Sequence, residues 1–480
     1  MKQTIVIFPP PGLADMHSMV EFGKLILHHY PHNFSITILC THGLQHNPTM
    51  SSYIQRISNS NPSISFHLFP CQRVDTPPSR RRVPAILLEL IRLNLPNARN
   101  ALLEISKTSK VRALIIHLIC MPALSVGIEL GIPTFNFRTA GASALAFFLN
   151  FPKIHQQTND SFKNLTDTVF QIPGCPPLKA THMPRPLLDR EDPAYWDFLN
   201  CCLDLPKVNG IIVNTFDGFE QTAMKAIQDG LCDGATTPVY YVGPLIASNE
   251  KEEGKANIAT DQEEEYMSWL DKQPSGSVVF LYFGGMGTLS EKQVREIASG
   301  LEYSGTRFLW VLKKPSDDKS KMTQQMDDFD VASILPDGFT ERTKGLGVVV
   351  KSQAPQLEVL KKESVGGFVT HCGWESVMEA SVTGVPMIAW PLYAEQHVNR
   401  NALVEDMKMA IPVEQREEDG FVTATELETR VRELMESETG RELRERSRKM
   451  KEMGLAAFGD SGSSKLALKR LMDAISTYGN

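Results

Sequence analysis

Apolar residues fall along the chain in short continuous runs separated by polar or helix-periodic stretches. Residues 4–8 (TIVIF) form one run, followed by Pro9-Pro10-Pro11-Gly12, an amphipathic pattern from about His17 to His29, and a second run from Ser35 to Leu39. Runs this short without polar interruption predict strands buried on both faces, and the stretches between them predict helices crossing a parallel sheet. The pattern continues with strands at about Ala113 to Ile116, ending in His117, and at Thr134 to Phe137, around a helix near 122–130. Strands at Gly210 to Asn214 and Val239 to Val242 follow. Residues 150–205 carry many prolines, among them Pro173, Pro176, Pro177, Pro184 and Pro186, and little periodicity. That predicts a long loop region with short helices, of the kind that shapes a ligand pocket.

Residues 249–265 (NEKEEGKANIATDQEEE) hold hardly an apolar residue, which predicts an exposed acidic linker over 247–265. The strand-loop-helix alternation restarts at Val278 to Phe283 and runs on through Phe308 to Leu312 and Gly347 to Lys351. The predicted fold class is α/β, two doubly wound Rossmann-like domains at 1–246 and 266–455, with a last helix at about Ser463 to Thr477 in a tail of 456–480. Open parallel sheets take ligands beyond the carboxyl ends of their strands. The first loop and His117 therefore share one rim.

One long segment, Gln353 to Gln396 (QAPQLEVLKKESVGGFVTHCGWESVMEASVTGVPMIAWPLYAEQ), with Asn399 just beyond, concentrates polar groups at strand ends. It holds a turn at 354–356, a strand at Gly367 to Thr370, the corner His371-Cys372-Gly373-Trp374, a helix from about Ser376 and a strand at Pro386 to Trp390. Gly373 lets the backbone turn into a helix whose free N–H groups can receive an anion, typically a phosphate. Glu379 and Glu395 can accept hydrogen bonds from sugar hydroxyls. The segment resembles the signature box of plant family-1 UDP-sugar-dependent glycosyltransferases, and the likeness extends over essentially the whole chain. The resemblance implies the GT-B arrangement of two domains facing a cleft, with the last helix crossing back onto the first domain. It implies a UDP-sugar donor, UDP-glucose, and a flavonoid-like phenolic acceptor in plant specialised metabolism. It also puts donor contacts at Gln356, His371, Gly373, Trp374, Ser376, Glu379, Glu395 and Gln396, of which Trp374 and Glu379 equally serve to hold the corner and helix together. Thr139, beside the unusual Arg138, falls at an old sugar contact.

Against that family the chain departs where chemistry is done. Inverting transfer to a phenol or alcohol needs a base for the acceptor proton and stabilisation of a leaving diphosphate. The resemblance puts the family's base, a histidine, at Asp15, and its orienting aspartate at His117, so the two have changed places. His17, two residues on, would reach the base position only by a local shift. On the donor side Gln353 replaces a tryptophan that stacks on uracil, which gives up aromatic contact. Gly285 replaces a serine whose hydroxyl bonds a phosphate, and Glu375 replaces an asparagine, setting a carboxylate beside a dianion. The main expectation from these departures is a repurposed, neofunctionalised enzyme that needs no nucleotide. His117 and Asp15 would then serve proton transfer, as a cyclase or isomerase of a small phenolic metabolite. The alternative is a UDP-sugar-dependent O- or C-glycosyltransferase with an inverted Asp15/His117 dyad.

Composition narrows the partners further. A hydrophobic content of 42% and a charged content of 22% are those of an ordinary globular protein. The net charge of −7 leaves no electrostatic footprint for nucleic acid, and Arg80-Arg81-Arg82 reads as a solvated loop. No apolar run reaches the ~18 residues of a membrane span, and the N-terminus opens into a strand without a leader. A cytoplasmic monomer is expected. The eight cysteines lack metal-ligand spacing and Cys201-Cys202 are adjacent, which predicts reduced thiols. No carboxylate or cysteine completes a site with His28, His29 and His32, so no metal is expected.

Overall fold

The computed structural model describes residues 2–41, 48–72, 83–232, 237–246, 261–316, 329–351 and 354–478. Arg80 to Arg82, residues 247–260 of the acidic stretch and Gln353 lie outside them. The chain divides into two compact units, Met1–Glu252 with Ala456–Asn480, and Glu253–Leu455.

The first unit is a sheet of seven parallel strands, β1 (Lys2–Phe8), β2 (Phe34–Cys40), β3 (Ile64–Leu68), β4 (Ser109–His117), β5 (Thr134–Arg138), β6 (Gly210–Val213) and β7 (Val239–Tyr241). Their order is β3-β2-β1-β4-β5-β6-β7. Ile5, Val6, Ile7 and Phe8 are all fully buried, as a central strand covered on both faces requires. Ile7 sits in register with Ile38 on one side and Ile115 on the other. The helix Leu13–His29 lays Met16, Met19, Val20, Phe22 and Ile26 on this sheet. It starts a turn earlier than the sequence pattern suggests, because Gly12, at φ 133°, completes the reversal out of the proline run by itself. Asp15 and His17 thus stand in the first turns of a helix.

Residues 150–205 are more regular than their prolines suggest. The helix Ala142–Gln156 buries twelve of its residues, so no polar face marks its period. The helix Pro193–Asp204 uses Pro193 at its first position, where a missing N–H costs nothing, and Asp192 caps it through the N–H of Ala194 at 2.9 Å. Between them an antiparallel hairpin pairs Val169–Ile172 with Cys175–Lys179. The helix Ser463–Tyr478 belongs to the same unit: Leu468, Leu471, Met472 and Ile475 join the core of β1 and β5, and Arg112 Nη2 donates to the carbonyl of Ser476 at 2.6 Å.

The second unit carries six parallel strands, β8 (Val278–Tyr282), β9 (Arg307–Leu312), β10 (Gly347–Lys351), β11 (Val365–Thr370), β12 (Met387–Ala389) and β13 (Ala410–Pro412), in the order β10-β9-β8-β11-β12-β13. Its core packs Val279, Leu281, Trp310, Val369, Ile388 and Trp390 against the helices Glu291–Ser304 and Ala424–Glu436. Both sheets share one topology. The first strand of each has the second on one side and the fourth on the other, and the loops leaving those neighbours diverge at a switch point where doubly wound sheets bind ligands.

Candidate active site

In the first unit the switch point lies between β1 and β4, and three side chains from three strand ends meet there. Asp15 follows β1, His117 ends β4 and Thr139 follows β5. Thr139 Oγ1 donates to Asp15 Oδ1 at 2.7 Å, and His117 Nε2 lies 3.2 Å from Thr139 Oγ1 and 3.6 Å from Asp15 Oδ1. The other imidazole nitrogen is engaged too: Nδ1 accepts the N–H of Ile119 at 3.2 Å and so caps the 3₁₀ turn Leu118–Ala123. A nitrogen that accepts cannot carry the proton of a neutral ring. The proton therefore sits on Nε2 and points at Thr139, whose own proton is given to Asp15.

Neutral His117 presents no basic nitrogen to a ligand, whereas the Asp15 carboxylate retains lone pairs and is 37% exposed. Burial holds the imidazole below its ordinary range, partly opposed by the Asp15 charge and reinforced by Arg138. Arg138 is itself buried, with its guanidinium 4.7 Å from the centre of the Phe148 ring. The loop that carries Thr139 is anchored by a residue that no sequence pattern marked. Glu220 accepts from the N–H groups of Ala142 and Ser143, at 2.7 and 2.8 Å, at the start of the following helix. Cys120 is fully buried near the same pair, and its thiol is pushed well up by burial.

His17 does not join them. Its ring packs 4.4 Å from that of Tyr53, and burial with the nearby charges of Arg56 and Lys24 lowers it to about 4. Two residues further along the helix, it lies about 200° round from Asp15 and packs on Tyr53 rather than on His117 or Thr139.

In the second unit the switch point lies between β8 and β11. The corner after β11 turns through Cys372 at φ 64°, and Asn399 Nδ2 donates to the carbonyl of that residue at 3.0 Å. Gly373 caps the helix Trp374–Thr383 and has to be glycine, because a Cβ there would stand 2.5 Å from His371 Nε2. Gly284, at φ 70°, presses on the same ring from the loop after β8. His371 is thus clamped between two glycines, and burial with the charge of Lys313 lowers it to about 3. Trp374 is buried, and Glu375 stands in the first turn of the helix.

Gln356, Ser376 and Glu379 form one cluster. Gln356 Nε2 donates to Ser376 Oγ at 3.0 Å and to Glu379 Oε2 at 2.6 Å, and burial raises Glu379 to about 7. Gln396 Oε1 takes the N–H groups of Leu392 and Tyr393, at 2.8 and 2.9 Å, which fixes the loop leading to Glu395 at the start of the helix Gln396–Asn401. Gly285 has open space on its Cβ side, and its carbonyl accepts from Lys313 Nζ. Lys313, missed in the sequence, follows β9, and its only sequence signal is a pair of lysines after an apolar run.

Two Rossmann-like units, each with polar groups at its switch point, make this a two-domain α/β protein with a ligand site in each unit. Residues 236–446 match the family described as UDP-glucoronosyl and UDP-glucosyl transferase. UDP-glycosyltransferase 88F3 of Pyrus communis is 58% identical over 99% of this chain and 100% of its own. The phloretin 2'-O-glucosyltransferase of Malus domestica is 57% identical with the same coverage. Among solved structures, Phytolacca americana UGT2 complexed with UDP-2fluoro-glucose and pterostilbene is 33% identical, with a TM-score of 0.86 over 99% of this chain and 100% of its own. The chain belongs to the plant family-1 UDP-glycosyltransferases and has their GT-B fold.

This overturns the expectation of a nucleotide-independent cyclase or isomerase. Relatives so close over the full length are glycosyltransferases by name, and the likeness supports a UDP-sugar donor where the departures suggested that none is required. The cyclase expectation used His117 and Asp15 together for proton transfer; the structure engages both ring nitrogens of His117 and leaves the Asp15 carboxylate as the more open member. Among the described residues no helix is long and apolar enough to cross a membrane.

Proposed function

We propose that the protein transfers glucose from UDP-glucose to a hydroxyl of a small phenol, with Asp15 as the general base. The first unit takes the acceptor and the second the donor. Asp15 accepts the phenolic proton, the phenol oxygen bonds to the anomeric carbon, the bond from that carbon to the diphosphate breaks with inversion, and UDP leaves. His117 and Thr139 orient the carboxylate by the logic of a His-Asp pair with its members exchanged. On the donor side Glu379, Gln356 and Ser376 hold the ribose and its surroundings. His371 and the N-terminus at Gly373 and Trp374 receive phosphate oxygens, and Glu395 and Gln396 bond the sugar. Glu375 and Gly285 weaken that site without removing it.

The observation that carries this reading is the direction of the hydrogen bonds from His117 through Thr139 to Asp15. Full-length similarity to a phloretin 2'-O-glucosyltransferase suggests a dihydrochalcone-like acceptor. The test is incubation with UDP-glucose and phloretin, with UDP release and the hexose adduct followed together. Equal amounts of UDP and glucoside are expected. Turnover of phenol without nucleotide, or UDP release without glucoside, would overturn the reading.

A further inference from the structure

Three strand ends converge on the donor side of the second unit. The loop after β8 supplies Gly284 and Gly285, the corner after β11 supplies His371 and Gly373, and Lys313 follows β9, the other neighbour of β8. Lys313 Nζ donates to the carbonyl of Gly285 and is close enough to His371 to lower its proton affinity. An ammonium has three donors and requires a counter-charge when desolvated. Lys313 makes one hydrogen bond, to a neutral carbonyl, and no ion pair among the described residues. Burial, with no opposing carboxylate, brings the ammonium down to about 8.

Resting on the glucosyl-transfer reading, we propose that Lys313 contacts the donor's diphosphate directly and supplies the hydrogen bond and positive charge that compensate for Gly285, which has no hydroxyl, and for Glu375, whose carboxylate opposes the phosphates. Gly285 leaves its Cβ side empty, so the ammonium meets no side chain there. The diphosphate gains negative charge as the bond to glucose breaks, and a cation at that point stabilises the departing group more than the bound donor. Lys313 therefore acts on kcat as well as on donor affinity.

The test compares UDP with uridine, which lacks phosphate, by calorimetry on the unaltered protein, on Lys313→Met, and on Lys313→Met with Gly285→Ser. Lys313→Met is expected to weaken UDP binding about 10- to 100-fold, the range of a charge-assisted hydrogen bond, and to leave uridine within twofold. Adding Gly285→Ser is expected to recover part of the loss for UDP alone. Equal losses for UDP and uridine would overturn the proposal, because Lys313 would then merely hold the glycine loop. Full UDP affinity in Lys313→Met would overturn it too, while leaving the glucosyltransferase reading intact. Failure of the unaltered protein to bind UDP or UDP-glucose would bring down both.

Discussion

Asp15 Oδ1 lies 3.6 Å from His117 Nε2, and the proton path between them runs through the hydroxyl of Thr139. The carboxylate is the terminal acceptor of that path and the imidazole its source, because Ile119 occupies the remaining ring nitrogen. Of the two, the Asp15 carboxylate is the more exposed, with 37% of its side chain open against 10% for His117.

Asp15→Asn should therefore cost more than any change at His117. Losing a general base removes about 10²- to 10⁴-fold in kcat/KM, whereas His117→Gln leaves the carboxylate in place and should cost about tenfold or less through lost orientation. Burial keeps His117 neutral below its ordinary range, so with UDP-glucose held saturating the pH profile of kcat/KM for the phenol should lack a limb from the imidazole near pH 6.5. Steady-state kinetics on both variants with UDP-glucose and phloretin checks this. A larger loss at His117 than at Asp15 would reverse the assignment.

Acceptor acidity is the second consequence. As a chemical class, carboxylates are weaker bases than imidazoles. A carboxylate therefore assists an acidic phenol far better than an aliphatic alcohol, whose proton it barely attracts in the transition state. A series of substituted phenols should show kcat/KM falling steeply as acceptor pKa rises, with no turnover of alcohols of matching shape. The double exchange Asp15→His with His117→Asp should flatten that slope. A flat series in the unaltered protein would show that Asp15 does not act as base.

Much of the fold was legible because parallel strands buried on both faces leave uninterrupted apolar runs, and β1, β4, β8 and β9 show them, whereas β5 buries Thr134, Asn136 and Arg138 in alternation with its two phenylalanines. The helix Ala142–Gln156 was not legible, since it is buried nearly all round and has no polar face. At the site, strand ends located Asp15, His117 and Thr139, but the hydrogen-bond direction among them depends on the N–H of Ile119, a backbone group that every sequence possesses. Lys313 and Glu220 escaped for a related reason. Each acts on a main-chain group far away in sequence, the carbonyl of Gly285 and the N–H groups of Ala142 and Ser143.

Glu375 occupies the first turn of the helix Trp374–Thr383, where an acidic side chain suits the helix dipole. The same place puts its charge in competition with a phosphate for that dipole. Glu375→Asn should tighten UDP-glucose binding about 5- to 10-fold, the scale of one repulsive pair in a partly solvated site, and should lower thermal stability slightly. Isothermal calorimetry measures the first effect and a melting curve the second. Unchanged donor affinity would mean that Glu375 points away from the phosphates.

Glu379 makes donor binding pH-dependent in a direction that can be worked out. Burial raises its carboxyl to about 7, although Gln356 donates to it at 2.6 Å. Ribose hydroxyls are donors and prefer the ionised form, so below pH 7 the ligand must first expel a proton. Affinity should fall by up to about tenfold per pH unit on the acid side and level off above pH 7. Uridine is the probe of choice, because it has no phosphate to titrate and none to engage Lys313. Between pH 5.5 and 8 the unaltered protein should bind uridine more tightly as pH rises, and Glu379→Gln should bind weakly with no slope. Uridine binding that is independent of pH in the unaltered protein would mean that Glu379 holds Gln356 and Ser376 in place without touching the ribose.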